Sequence, residues 1–376
     1  MFVITGGGTG GHLAIAKALA IELKARNIPC VYIGSTLGQD KLWFGESSAD
    51  SADKANSANN AGDTSNTSNA SEALFVKTYF LESTGVVNKR GLAKLGALLK
   101  IANAAKQARK IFKKHNVRAV ISVGGFSAAG ASIGALVCRI PLFIHEQNAA
   151  SGSLNKILSP FAKAVFSSFP QSDAGFFKAR NFVQCAYPIR KEFFSKARVR
   201  EKIDSVLFLG GSQGARAINN LALELAPKLL EHGIKISHQC GKNDFERVRE
   251  SYAKQGILER VNAFSYNPNL VELMAQSDVC ISRSGASSVW ETCANGLPCF
   301  FVPYPYAHKN HQYFNALEFQ KKGLAEICTE DKLDSAKVLA FLQNLAPKIS
   351  QISQTLQSTI SPNGAKEIIT KIESAL

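Results

Sequence analysis

The chain has 376 residues, enough for two domains that each bury a core, and 45% of them are hydrophobic. No run of about 18 apolar residues occurs, which argues against a membrane span, and the chain enters a strand at once without the basic stretch of a secretion signal. The net charge of +15 is unevenly placed: no acid stands between Glu82 and Glu146, a gap holding Lys89, Arg90, Lys94, Lys100, Lys106, Arg109, Lys110, Lys113, Lys114 and Arg118. Such a block reads as an anion-facing surface, for nucleic acid or for acidic lipid.

The first element is the strand "MFVIT" (1–5), followed by the turn "GGGTGGH" (Gly6–His12) and the helical run "GHLAIAKALAIELKARN". The turn contains G-x-G-x-x-G, a weak signal alone. The next strand, "CVYIG", brings no acid for a ribose, and a Walker lysine is absent, so a nicotinamide fingerprint is disfavoured. His12 falls at the helix start, where the terminus disfavours imidazolium and leaves a ring able to accept a proton near pH 7. Residues 46–73 are Ser, Ala, Asn and Asp with almost nothing apolar, and read as a disordered insertion. "LFVKTY" (74–79) reads as a strand. In "KRGLAKLGALLKIANAAKQARKIFKKH" (89–115), Leu92, Leu95 and Leu99 recur at helical spacing among cations. Beyond about residue 105 the apolar side reads as core; over 86–100 it reads as a lipid-facing patch.

Then come the strand "AVISV", a third glycine turn "VGGFSAAG" (123–130), and "PLFIH", which ends in "HEQN" with His145, Glu146 and Asn148 at the functional edge of a parallel sheet. "AVFSSF" follows. The polar, basic stretch 185–205, with Pro188 and Arg190, reads as the linker. "SVLFLG" then meets a second glycine turn carrying Gly210, Gly211, Ser212, Gln213 and Gly214 ahead of a helix, a cradle suited to a diphosphate. "KISHQC", "VNAFS", "DVCIS", "CFFVP" and "AEICT" are further strands. "SRSGASSVWE" (282–291) follows "DVCI", with Ser284 as N-cap and Glu291 able to accept from both hydroxyls of a ribose diol. The loop 303–316 offers His308, Asn310, His311, Gln312 and Asn315 to a sugar. No Asp-x-Asp occurs, so a metal-held diphosphate is not expected, and the eight cysteines lack C-x-x-C and read as buried free thiols.

Strands alternating with helices over the whole length predict an α/β protein of two doubly wound, Rossmann-like domains facing across a cleft, with one glycine turn for each of two substrates.

"TGGGTGGH", "GGF", "HEQN", "YPIR", "GGSQGAR", "SRSGASSVWE" and "NHQYFNA", in this order and spacing, resemble the MurG family (glycosyltransferase family 28) over nearly the whole chain outside 46–73. The resemblance implies a GT-B fold and a cofactor- and metal-independent, inverting transfer. N-acetylglucosamine would pass from UDP-N-acetylglucosamine to the 4-hydroxyl of the muramyl sugar of lipid I, giving lipid II. It implies an acceptor- and membrane-facing domain at 1–190 and a donor domain at 191–359, with a helix at about 360–376 packing back on the first. By motif, Thr9, Gly10, Gly11, Asn148, Arg190, Ser212 and Gln213 would reach the donor's sugar or diphosphate. Phe264 and Ser265 would face the uracil; Arg283, Ala286, Ser287, Ser288 and Glu291 the sugar and ribose; Gln312 the N-acetylglucosamine. His12 is the first choice of base and Glu146 the second. Phe126 stands where many relatives have Tyr, and His311-Gln312 where some have Gln-Gln. The implied place is the cytoplasmic face of the inner membrane, held peripherally to an anionic surface, with no nucleic-acid partner. A UDP-sugar 2-epimerase, or another GT-B UDP-glycosyltransferase, is the alternative.

Overall fold

The apolar runs of the amino-terminal half form β1 (Phe2–Thr5), β2 (Cys30–Ser35), β3 (Lys77–Leu81), β4 (Ala119–Ser122), β5 (Leu142–Glu146), β6 (Ala164–Ser167) and β7 (Phe182–Gln184). They make one parallel sheet in the order β3-β2-β1-β4-β5-β6-β7. Its central strands are buried along their whole length. Helices on both faces of a parallel sheet require this, which is why these strands read as continuous apolar runs and do not alternate. The computed structural model describes residues 1–45, 74–85, 90–171, 175, 178–211 and 213–376, so the 46–73 insertion, Lys89 and Ser212 lie outside the described residues.

Two units divide the chain: Met1–Gln147 with Ser151–Pro188 and Asn363–Leu376, and Asn148–Ala150 with Ile189–Pro362. In the first, Val3, Val31, Ile33, Val120, Ile144 and Val165 form a core with Ala104, Ala108 and Phe112 of the helix Gly91–Lys114. That helix lies close to the helix Ala129–Val137 because small residues meet: a Cβ at Gly130 would stand 2.6 Å from the Ala104 Cβ. The terminal helix Gly364–Ser374 is tied to the same unit by Arg26, whose guanidinium donates to Glu373 Oε2 (2.5 Å), Thr370 Oγ1 (2.8 Å) and Lys366 O (2.9 Å).

The second unit holds β8 (Ser205–Leu209), β9 (Lys235–Gln239), β10 (Val261–Phe264), β11 (Val279–Ser282), β12 (Cys299–Phe301) and β13 (Ala325–Ile327), parallel in the order β10-β9-β8-β11-β12-β13. In both sheets the strand order reverses beside the first strand, between β1 and β4 and between β8 and β11. Ligands of doubly wound sheets bind at such a point, beyond the carboxyl ends.

Three local expectations change. The strand expected at 74–79 begins at Lys77, and the three-residue edge strand β7 has too few residues to show a period. The stretch 185–205 does contain the passage between the two units, at Pro188 and Ile189, but it is packed, for Tyr187, Phe193 and Arg200 are buried. Arg200 donates to the carbonyls of Met274 (2.8 Å), Ser277 (3.2 Å), Arg198 (2.8 Å) and Asn295, and to Asn295 Oδ1 (2.5 Å). Met274 and Asn295 lie at the carboxyl ends of the helices Leu270–Gln276 and Ala286–Ala294, where a cation completes the helix dipoles. Burial lowers the Arg200 pKa to about 9, which still leaves the guanidinium charged at neutral pH. All eight cysteines are free thiols.

Candidate active site

In the first unit, the turn after β1 is locked by its neighbours. Gly7 N–H donates to Gly124 O at 3.1 Å, and a Cβ on Gly125 (φ +79°) would stand 2.2 Å from Gly7 O. Only glycine fits there, both for its conformation and for the backbone against it. Beneath the turn, the fully buried Asp40 accepts from Gly8 N–H (2.6 Å) and Ser35 N–H (3.0 Å), and its Oδ1 lies 3.0 Å from the Tyr32 hydroxyl. That hydroxyl also donates to Gly6 O at 2.8 Å. Asp40 had no sequence signal, since a lone acid in "LGQDK" looks like a solvated turn residue. Phe126 packs its ring on Gly8, an apolar contact that needs no hydroxyl.

The turn leads into the helix Gly10–Ala25, which places Thr9 at the N-cap and Gly10, Gly11 and His12 in the first turn. The Thr9 hydroxyl lies 2.9 Å from His12 Nδ1, and Gln147 Nε2 lies 3.1 Å from His12 Nε2. Behind this pair, β5 contributes two buried titratable groups. His145 is 0% exposed, and neither ring nitrogen has a hydrogen-bond partner among the described residues. Its pKa falls to about 3, by burial first and by the charge of His12 second. Glu146, also buried, accepts at Oε2 from Gly152 N–H (2.9 Å) and Asn155 Nδ2 (3.0 Å). That oxygen is engaged in holding the turn into the helix Ser153–Leu158.

In the second unit, the turn after β8 closes on the loop after β9. A Cβ on Gly241 (φ +78°) would stand 2.0 Å from Gly214 N, so this contact too is backbone on backbone. Room is left elsewhere: among the described residues a Cβ on Gly211 would meet nothing within 4 Å, and one on Gly285, which follows β11, nothing nearer than Ser288 Oγ at 3.9 Å. Gly285, not Ser284, is the N-cap of the helix Ala286–Ala294, and the Ser284 hydroxyl is buried without a partner among the described residues. Ala286, Ser287 and Ser288 occupy the first turn, whose N–H groups the helix cannot satisfy itself. Glu291 lies one turn on and is partly buried. Burial pushes its carboxyl up to about 7, against the pull of the Arg190 charge. Arg190 is exposed and lies over the Phe193 ring, 5.0 Å from its centroid.

Other predicted contacts are also bonded to the chain itself. Arg283 donates to Val302 O (3.0 Å) and Pro303 O (3.3 Å), pairs with Glu330 and faces the Tyr304 ring, so it shapes the loop after β12. Gln312 accepts from Tyr304 N–H at 2.9 Å through Oε1, which turns its side chain toward that loop. Asn315 is not presented to a sugar. It is fully buried, accepts from Ala149 N–H (2.8 Å), and donates to Ser284 O (3.1 Å) and Asn148 Oδ1 (3.2 Å), which is why Asn148–Ala150 group with this unit. Gln213 is exposed, and Phe264 and Ser265 are partly so at the end of β10.

On the helix Gly91–Lys114, Leu92, Leu95 and Leu99 are 87%, 55% and 63% exposed, whereas Ile111 and Phe112 are buried. No helix among the described residues is long and apolar enough to cross a membrane.

Two family models match the chain: the glycosyltransferase family 28 N-terminal domain over residues 2–53 and 61–167, and its C-terminal domain over 205–372. A UDP-N-acetylglucosamine–N-acetylmuramyl-(pentapeptide) pyrophosphoryl-undecaprenol N-acetylglucosamine transferase of Helicobacter hepaticus is 52% identical over 379 residues, covering 100% of this chain and 99% of its own. The Helicobacter pylori protein of that name is 48% identical over 381 residues, with the same coverage. Among solved structures, Acinetobacter baumannii MurG aligns with a TM-score of 0.73 at 24% identity over 99% of each chain. A Neisseria meningitidis UDP-GlcNAc 2-epimerase bound to UDP-GlcNAc aligns at 0.63 and 14% over 100% of each. At those identities the structural likeness speaks for the two-domain α/β fold, which the transferase and the epimerase share, while the full-length relatives separate the two. By both of its domains, the chain belongs to glycosyltransferase family 28.

Proposed function

We propose that this enzyme transfers N-acetylglucosamine from UDP-N-acetylglucosamine to the 4-hydroxyl of the muramyl sugar of undecaprenyl-pyrophosphoryl-MurNAc-pentapeptide, with inversion and without a metal. The full-length identity to relatives bearing the name of that transferase carries the reading. In the reaction, His12 takes the proton from the acceptor hydroxyl as its oxygen bonds to the anomeric carbon. The bond from that carbon to the diphosphate breaks, and UDP departs with the electron pair. Arg190, Ser212 and the N–H groups of Ala286–Ser288 meet the charge on the leaving diphosphate, and Glu291 accepts from the ribose diol. Thr9–Gly11, Asn148 and the amide nitrogen of Gln312 contact the sugar, and Phe264 and Ser265 the uracil. Glu146 serves as the strut of its loop and not as the base.

The exposed leucines amid cations support docking on an anionic membrane, the inner face of the cell membrane in this reading. Each basic residue near such a surface is worth about 1 kcal/mol, so a handful with two or three inserted leucines holds a protein reversibly. Replacing Leu95 and Leu99 together by Glu is expected to abolish sedimentation with anionic vesicles and leave UDP binding intact. If the double variant unfolds, the membrane face lies elsewhere.

UDP release measured with and without the lipid-linked acceptor, in EDTA, tests the chemistry. Release that requires the acceptor and survives the chelator is expected. Interconversion of UDP-sugars without acceptor would mark an epimerase, and loss of release in EDTA reversed by magnesium would remove the metal-free step.

A further inference from the structure

The polar groups around His12 leave one side chain without a task in the reaction above. Gln147 is 7% exposed, sits two residues past His145 and reaches back to the ring of a residue 135 positions earlier. As placed, its amide N–H donates to His12 Nε2. The ring proton is then on Nδ1, where it donates to the Thr9 hydroxyl. The amide oxygen, Oε1, is buried with no partner among the described residues, and a Cβ on Gly11 would stand 3.1 Å from it. The carboxamide is therefore held against the helix start with its donor used and its acceptor idle.

We infer that Gln147 is the positioning residue of His12: its amide N–H fixes the Nδ1–H tautomer at rest, swings aside from Nε2 when the acceptor hydroxyl takes that place, and Oε1 then accepts from the Nε2–H that forms once the ring has taken the proton. Half a turn of the amide exchanges the two atoms, so one side chain serves both protonation states. A carboxylate would favour imidazolium throughout, and an apolar side chain would hold neither form. The titratable groups behind the ring are consistent with this. His145 stays neutral and adds no repulsion, and Glu146 Oε2 is bonded to Asn155, whose amide nitrogen and His12 Nε2 both border Gly124.

This inference rests on the reading of His12 as base, and the test separates the two. In the full chain labelled with 15N at histidine, the His12 signals are assigned by their loss in His12→Ala. In wild type the ring should show a single neutral tautomer with the proton on Nδ1. Gln147→Met should mix the tautomers and lower kcat about 10- to 100-fold, with the donor KM within twofold. Gln147→Glu, nearly isosteric should the methionine variant not fold, should raise the His12 pKa by a unit or more and move the acidic limb of the kcat profile with it. A His12 tautomer and titration unchanged in both variants would overturn the inference. His12→Ala should itself lower kcat by about 10²–10⁴. If it does not, while the Gln147 variants still shift the ring, the base reading fails and the hold of Gln147 on the ring stands.

Discussion

The two units use the same device, a glycine turn after the first strand of a doubly wound sheet, but the first is fastened both to the loop after β2, at Gly38 and Asp40, and to the one after β4, and the second to the loop after β9. In the first unit the turn after β1 meets Gly124 and Gly125, which follow β4, so the backbone bridges the point where strand order reverses. In the second, the turn after β8 meets Gly241, which follows β9, and among the described residues space is open at Gly211 and at Gly285, which follows β11. One turn is a fastening that aims a helix start and its histidine. The other leaves room where a ligand's phosphates would lie. Sequence similarity between two glycine turns therefore says little about which of them cradles an anion.

The comparison is most easily broken at its fastenings. Gly125→Ala and Gly241→Ala each force a Cβ into backbone at 2.2 and 2.0 Å from a positive φ, and each should cost more than about 4 kcal/mol. Gly285→Ala, with open space ahead of it and an ordinary φ of −59°, should stay within about 1 kcal/mol of wild type and weaken donor binding instead. Thermal unfolding beside a UDP titration reads both effects. Equal destabilisation at all three positions would mean that the second turn is as closed as the first.

The buried histidines extend the contrast. His238 on β9 is bonded at both nitrogens, Nδ1 to the Tyr252 hydroxyl (2.9 Å) and Nε2 to Asn219 Oδ1 (3.0 Å), whereas His145 on β5 is bonded at neither. Burial lowers both pKa values to about 3. Each unfolded ring binds a proton below about pH 6.5 that the folded one refuses until about pH 3, so each removes stability as the pH falls through that window. His238→Leu should cost about 2–3 kcal/mol at pH 7, because it strands a hydroxyl and an amide oxygen in the core. His145→Leu should cost under about 1 kcal/mol, having no bonded partner to strand, and should weaken the acid dependence in the same way. Urea midpoints at pH 7 and pH 5 measure both. A large loss at pH 7 from His145→Leu would show that its nitrogens have partners after all.

What was legible in the sequence followed from period and punctuation. Fully buried strands show as apolar runs, and glycine turns at their carboxyl ends mark the functional edge, so both sheets and the set of motifs could be read directly. The supports could not. Asp40, Gln147, Arg200 and Asn315 act through partners as many as 32, 135, 95 and 167 positions away, or through helix ends that only the fold brings together. A polar residue spent on backbone looks the same in sequence as one offered to a ligand. Arg283 and Gln312 were expected at the donor, and Asn315 at a sugar, for that reason, and all three are bonded to the chain itself.

The smallest effect concerns Glu291, where the open turn and its electrostatics meet. Its pKa of about 7 lies above the usual carboxylate range, because burial outweighs the nearby Arg190 charge. In the free protein the raised value favours the folded state at low pH, and that contribution is lost as the pH climbs from about 4.5 through 7. Donor binding should run the other way. A ribose diol donates to a carboxylate better than to a carboxylic acid, whereas the donor's diphosphate keeps its charge across this range. Affinity for UDP-N-acetylglucosamine should therefore rise between pH 6 and pH 8. Glu291→Gln should flatten that rise and cost roughly tenfold in affinity at pH 8, the lower end of the 1.5–3 kcal/mol of a charge-assisted bond. At pH 6, where the native side chain is mostly protonated, variant and wild type should nearly coincide. Calorimetric titrations at the two pH values decide it. A constant gap between the curves would mean that Glu291 supports the helix start and does not touch the ribose.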